Sequence, residues 1–510
     1  MNRSRAIVTA ILLLLASCGG KEPVVPPALP AVRAELNEAT AFDATFTVQA
    51  VNAATVRYGT GRDMPYTVET GSTGPVSLHI QVTGLAQLTD YTLYLQGLGP
   101  DSEEGNVAEV AFSTGKGPDA LYSWEMQRSA PPAFGSLSLI TMGWHNYSPP
   151  VWTSERFAPH VAFQASDGSS RWLFDAFLCV DGWDPLRNLS FSITNSRYSA
   201  TKESWEDLLA AWLGEGGALT MLDKAIENAA GILGEPPAPR YVIMGVPDPI
   251  RYRLFQDKNS STTYWGALNG RQMDFGNVTD QETACKWYMD RCRERFHAMH
   301  FKHLELAGFY ILSEELPLDP AFFKAAGEKS DAADSWNWGH KNWEIIVPHL
   351  AAYAHSCREG LWWIPYHLAP GYKVWKQLGF DMAFMQPNYY WDHDQVSHPL
   401  SATSNAIQKY RMGIELEFEY SLVASIMADG RSAPDASGNA AFYAKDVPLL
   451  RDRVREYMQA FKDTGLYGEI PFAVYSGTDA WHQLATSADA SDREMYHELC
   501  QFIIESSLNQ

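Results

Sequence analysis

The chain has 510 residues, more than one hydrophobic core normally organises, so two or more domains are expected. Hydrophobic residues make up 46% and charged residues 19%, which excludes a disordered chain. A formal net charge of −21 without any long basic run excludes a nucleic-acid partner, because phosphate binding depends on clustered Lys and Arg.

The N-terminus carries the first local signal. Arg3 and Arg5 precede the apolar run Ala6 to Leu15, followed by Leu15-Ala16-Ser17-Cys18. The run is too short to span a bilayer, so residues 1–17 are read as a signal peptide. The small residues before Cys18 resemble a bacterial lipobox. That resemblance implies lipidation of Cys18 and an outer-membrane lipoprotein held to the membrane by its anchor. Lys21-Glu22 resembles the surface-export signal of Bacteroidota lipoproteins, and residues 18–32 read as a Pro-rich tether. The other five cysteines are scattered and odd in number, so no disulfide framework can be read from them. Cys285 and Cys292, seven apart on a predicted helix, read as a buried pair of small hydrophobes.

Residues 33–116 read as all-β, with alternating runs such as Thr45-Phe46-Thr47-Val48 and Val76-Ser77-Leu78-His79-Ile80 between turn clusters. Gly84-Leu85, Thr89 and Tyr91 resemble the later strands of a fibronectin type III domain. The resemblance implies a Greek-key corner fixed by Tyr91. Gln87-Leu88 stands where that family has Pro-Gly, and the early Trp is missing. Such a module serves as a spacer.

From residue 117 to the C-terminus the pattern changes to short apolar strands alternating with amphipathic helices. Eight strands are expected: Leu137–His145, Trp172–Asp181, Tyr241–Val246, Leu306–Ser313, Leu361–Tyr366, Met382–Pro387, Ile414–Glu419 and Glu469–Tyr475. Most are near-continuously apolar, as parallel strands covered on both faces must be. Thr201 starts a helix with a Trp205, Leu208, Leu209, Trp212 stripe closed by Gly214. Asp446 starts another, with Leu449, Leu450, Val454, Tyr457, Met458 and Phe461 on one face and Gly465 at its end. Eight such rounds predict an α/β fold, a (β/α)8 barrel of the TIM type with enlarged loops. An open doubly wound sheet is the competitor, and its Gly-rich first turn is missing.

In such a barrel the working face lies where the strands end. Glu314 follows strand four, and Glu415, Glu417 and Glu419 share one face of strand seven, so Glu417 or Glu419 can project into the mouth. Two opposed carboxylates are the minimum equipment for glycoside hydrolysis. Solvated or capping acids are the plain alternative. Trp144, Tyr147, Trp183, Tyr366, Tyr389, Tyr390 and Trp391 lie at or beyond strand ends, where aromatic faces can stack on sugar rings. His145, Asn146, Asp181, His367, Gln386 and Asn388 are the hydrogen-bonding candidates for a glycan substrate. Each aromatic taken singly is equally compatible with packing.

The placement resembles the retaining barrel glycosidases, with an acid/base after strand four and a nucleophile after strand seven. That resemblance implies Glu314 as acid/base and Glu417, or else Glu419, as nucleophile. Ser313 stands where many of those enzymes carry Asn. The segments WHNYSPPVWTSERFAPHVAF, WLFDAFLCVDG, GFYILSEE, WIPYHLAPGYKVWKQLGFD, QPNYYW and GIELEFE resemble a bacterial lipoprotein family known as domain of unknown function 4855. This implies a barrel and a role in glycan handling, with no catalytic residue assigned.

Metal and cofactor signals are weak, and none is expected. His297, His300 and His303 drift around a helix surface, and Asp392-His393-Asp394 reads as a polar loop. The chain lacks H-E-x-x-H, P-loop and G-x-S-x-G patterns. The leading expectation is an extracellular glycoside hydrolase. The alternative is a non-catalytic glycan-binding lipoprotein passing substrate to neighbouring uptake proteins, and an esterase or lyase is remote.

Overall fold

A computed structural model describes residues 29–40, 43–64, 66–82, 85, 89–115, 130–142, 151–165, 168–193, 198–255, 257–268, 271–330, 342–391, 398–428, 446–477, 479–506 and 508. Cys18 therefore lies outside the described residues, as do Trp144, His145, Asn146, Tyr147, Gly84, Gln87, Leu88 and the Asp392-His393-Asp394 loop. Among the described residues no helix is long and apolar enough to cross a membrane.

Residues 31–113 form two antiparallel sheets. One contains Ala31–Ala39, Ala44–Val51 and Val76–Val82; the other contains Thr55–Gly59, Tyr66–Glu69, Asp90–Leu98 and Glu104–Ser113. Strand Ala44–Val51 alternates buried and half-buried residues, so Phe46 and Val48 face inward while Thr45 and Thr47 face out. Phe46, Val56, Leu93 and Leu95 fill the space between the sheets with no exposed surface. Tyr91 stacks on Phe112 with ring centres 5.6 Å apart.

The remainder is a closed barrel of eight parallel strands in chain order: Ser136–Ile140, Ala176–Cys179, Arg240–Val246, Leu304–Ile311, Gly360–Trp363, Met382–Met385, Gly413–Glu417 and Phe472–Tyr475. Here they are barrel strands one to eight. The ring closes through strand eight on strand one, with Ala473 opposite Leu137. Each strand lies within its expected segment or extends it at the N-terminal side by one or two residues, and most stop short of the expected C-terminal end. Among the described residues, polar groups at those ends such as Asp181, Ser313, Tyr366 and Glu419 belong to loops. The strand four–five seam needs glycine. Gly308 has φ +150°, and a β-carbon there would fall inside contact distance of the Gly360 backbone.

The helices form as their sequence signals predict, with three corrections. Thr201 precedes helix Lys202–Leu213, whose Trp205, Leu208, Leu209 and Trp212 are buried, and Gly214 follows it. Asp446 accepts from Leu449 N at the start of Val447–Asp463, but Leu449 itself is exposed, so the buried stripe runs through Leu450, Val454, Tyr457 and Phe461. The fifth connection has no α-helix. Between Gly371 and Gly379, both at positive φ, lie the 3-10 turn Tyr372–Val374 and the buried Trp375. The third correction concerns the three histidines. The helix ends at Met299, His300 takes a left-handed conformation, and His303 lies beyond it, 4% exposed and 3.4 Å from Glu235. The five cysteines among the described residues are all free and buried.

The sandwich is in contact with the barrel through polar groups. Tyr66 OH donates to Glu282 Oε2 at 2.6 Å and meets His349 Nδ1, while Tyr58 OH donates to Thr279 at 3.3 Å. Glu282 is buried and paired with Lys286 on the same helix.

Candidate active site

The C-terminal ends of the barrel strands surround a cavity of about 380 Å³. Leu139 contributes from strand one, and Val180, Asp181 and Gly182 follow strand two. Tyr310, Leu312 and Glu314 come from strand four and its end, Ile364 from strand five, and Gln386 and Trp391 follow strand six. Glu415 belongs to strand seven, Glu419 follows it, and Tyr475 closes strand eight. The cavity therefore has an apolar wall from the barrel interior and an acidic edge.

Glu314 sits where strand four gives way to its loop, and its carbonyl oxygen accepts from Tyr366 N at 2.9 Å, tying the loops after strands four and five together. Burial, with the nearby charges of Glu315 and Asp248, raises its carboxyl from 4.5 to about 7. Asp248, 3% exposed, lies two residues beyond strand three and was not among the sequence candidates. Ser313 does not take up the role of the expected Asn. Its hydroxyl donates to Glu315 O at 2.8 Å and so closes its own loop.

Strand seven separates its three glutamates. Glu415 and Glu419 line the cavity, whereas Glu417 is fully buried and outside the described lining. Glu417 Oε2 accepts from Asn388 N at 2.7 Å and from Tyr457 OH at 2.9 Å, while its buried Oε1 has no hydrogen-bond partner among the described residues. Asn388 presents its N–H from a left-handed conformation with φ 55°, which Asn tolerates better than most residues. Tyr457 in turn accepts from Tyr390 N at 2.6 Å, so helix Val447–Asp463 and the loop after strand six jointly fix Glu417. Burial raises Glu417 despite these donors, with Glu314 adding to the rise. Glu415 is raised as well, by burial and then by Glu417 and Glu314. Carboxyls from strands four and seven thus share one electrostatic field, in which they cannot all ionise cheaply.

Asp181 is buried with both oxygens occupied, by Thr141 Oγ1 at 2.6 Å and Met142 N at 3.1 Å. It lines the cavity as a fixed acceptor. Tyr366, His367 and Asn388 form a polar cluster with His398. Tyr366 OH bonds His398 Nε2 at 2.7 Å and accepts from Asn388 Nδ2 at 3.0 Å, and His367 bonds Thr403 at 3.1 Å. Trp183 is half-buried in a short hairpin outside the lining. The expected aromatic rim is corrected for Tyr389 and Tyr390. They are 7% and 2% exposed, and their hydroxyls are bound to Glu456 and to Ser421 (2.8 Å), so they pack beneath the loop. Trp391 is the aromatic from that segment that lines the cavity. Like Asp248, Glu415 and Tyr457 were not singled out as site residues. Glu415 entered only as sharing a face with Glu417 and Glu419, and Tyr457 only as one residue of an apolar stripe.

Fold and site together define a (β/α)8 barrel with a carboxylate-lined mouth. The chain belongs to the family described as Domain of unknown function (DUF4855), whose model matches residues 136–329 and 339–501. A comparison with curated proteins returns no match. Among solved structures it is similar to a Bacteroides ovatus GH5 xyloglucanase in complex with a XXXG heptasaccharide, at 11% identity and TM-score 0.29, covering 94% of this chain and 100% of that one. It is also similar to a candidate alpha-L-fucosidase from Bacteroides thetaiotaomicron, at 10% identity and TM-score 0.36, covering 74% of this chain and 97% of that one.

Proposed function

We propose that the protein is a retaining glycoside hydrolase acting on a complex glycan, displayed outside the cell by a lipid on Cys18. The observation that carries this reading is the placement of Glu314, after strand four, in one cavity with Glu415 and Glu419 of strand seven and its end, with Glu417 buried between those two in sequence. Glu314 holds a proton near neutral pH, as a general acid must, and would deliver it to the leaving glycosidic oxygen. Glu417, whose ionised form Tyr457 and Asn388 favour, would first release the proton that burial and Glu314 hold on it, then attack the anomeric carbon and form a glycosyl-enzyme. Glu314 would then deprotonate the water that hydrolyses it. Glu419, which already lines the cavity, is the alternative nucleophile.

One observation favours the second reading, a glycan-binding lipoprotein that feeds uptake proteins. Glu417 is fully buried and outside the cavity lining, and a nucleophile must reach the sugar. Incubating the protein with a panel of host and plant glycans and reading released sugars separates the two. Hydrolysis that Glu314→Gln and Glu417→Gln each abolish, with binding retained, supports the enzyme. Full activity in either variant removes that residue from the mechanism.

A further inference from the structure

The mechanism above needs two carboxyls, yet four line the cavity or flank its floor in addition to Glu417: Asp181, Glu314, Glu415 and Glu419. The described lining holds no Lys, Arg or His to balance them. Asp181 has both oxygens satisfied by the protein. Glu415 differs. It is 2% exposed, it lines the cavity, and among the described residues its carboxyl receives no hydrogen bond, its charged neighbours being Glu417 and Glu314. A buried acceptor left in this state is one that a ligand's donors can complete.

We propose that the cavity takes a neutral or amino-bearing sugar ring whose O–H or N–H donors close on Glu415, and that it rejects rings carrying carboxylate or sulfate. The proposal rests on reading the cavity as a sugar subsite. Its chemistry follows from a lining that offers carboxyls and, among the described residues, no basic group. Hydroxyl and ammonium groups can donate to whichever of Glu314, Glu415 and Glu419 is ionised, and ring oxygens can accept from one that keeps its proton, whereas an anionic substituent adds a like charge to a field in which these carboxyls already resist ionising. Glu415 is accordingly a specificity-determining residue on the cavity floor, separate from the acid and the nucleophile.

The test uses the full chain and glycans presented before and after chemical reduction of their uronic carboxyls, together with chitin and chitosan oligomers. Binding and sugar release are both measured. The neutral or amino members should bind at least about 100-fold more tightly than their carboxylated counterparts. Glu415→Gln should raise KM about tenfold with a smaller change in kcat, and its thermal unfolding checks that the variant is folded. Equal or tighter binding of the carboxylated members overturns the proposal, and if those members are hydrolysed the glycosidase reading survives. Preferential binding of the neutral members without any hydrolysis supports the selectivity and sinks the glycosidase reading instead.

Discussion

Replacing Glu314 by Gln should stabilise the protein in alkaline solution while disabling it. The carboxyl is raised from 4.5 to about 7 by burial and by the neighbouring Glu315 and Asp248 charges. That difference corresponds to about 3 kcal/mol between the two protonation states. Between those pH values the unfolded chain gives up a proton that the folded barrel keeps, so the folded state loses stability as pH rises through the window. Below pH 4.5 the group is protonated in both states and costs nothing. Gln is nearly isosteric with the protonated form and cannot ionise. Wild type and Glu314→Gln should therefore unfold at the same urea midpoint near pH 4. Near pH 8 the variant should be more stable by up to about 3 kcal/mol, less whatever solvent screening removes. Relief of Glu415 and Glu417 acts in the same direction, because Glu314 raises both. A variant no more stable than wild type at pH 8 would refute the placement of Glu314 among buried like charges.

Tyr457→Phe removes a donor to Glu417, a hydrogen bond to a carboxylate worth about 1.5–3 kcal/mol. The acid limb of the pH–rate profile should move up by about one pH unit, and an unmoved limb would show that Glu417 is not the group titrating there. Gly308→Ala places a β-carbon against the Gly360 backbone at φ +150°, so it should cost more than about 3 kcal/mol. Circular dichroism melts read this loss, and an unchanged Tm contradicts the close approach of strands four and five. Tyr66→Phe removes the bond to Glu282 that joins sandwich and barrel, and should cost about 1–2 kcal/mol and speed proteolysis between the two. Unaltered cleavage kinetics would mean that this contact does not hold them together.

The barrel was legible because its signals are local and repeated. Apolar runs such as Tyr241–Val246, capped helices such as Lys202–Leu213, and polar residues clustered after each run need no long-range information. The fifth connection departs from the expected strand–helix alternation, with a 3-10 turn between two glycines at positive φ, Gly371 and Gly379. Glu314 could be found from its place after strand four. The division of labour within strand seven could not. Period-two alternation puts Glu415, Glu417 and Glu419 on one face, yet Glu417 is drawn aside by Tyr457, forty positions away, and by Asn388. Tyr389 and Tyr390 illustrate the same limit. Aromatic character predicts burial or stacking equally well, and contacts with Glu456 and Ser421 on distant elements decided for burial.

The central claim is that Glu314 and a strand-seven glutamate cleave a glycosidic bond with retention. Incubation with a panel of 2-deoxy-2-fluoro glycosyl donors, followed by intact mass and peptide mapping, tests it most directly. The account predicts one covalent glycosyl adduct per chain, on Glu417 or else on Glu419, and none in the Glu314→Gln variant with a donor that needs acid assistance. Hydrolysis that proceeds with inversion and leaves no adduct, or an adduct outside strand seven and the loop after it, would contradict the account.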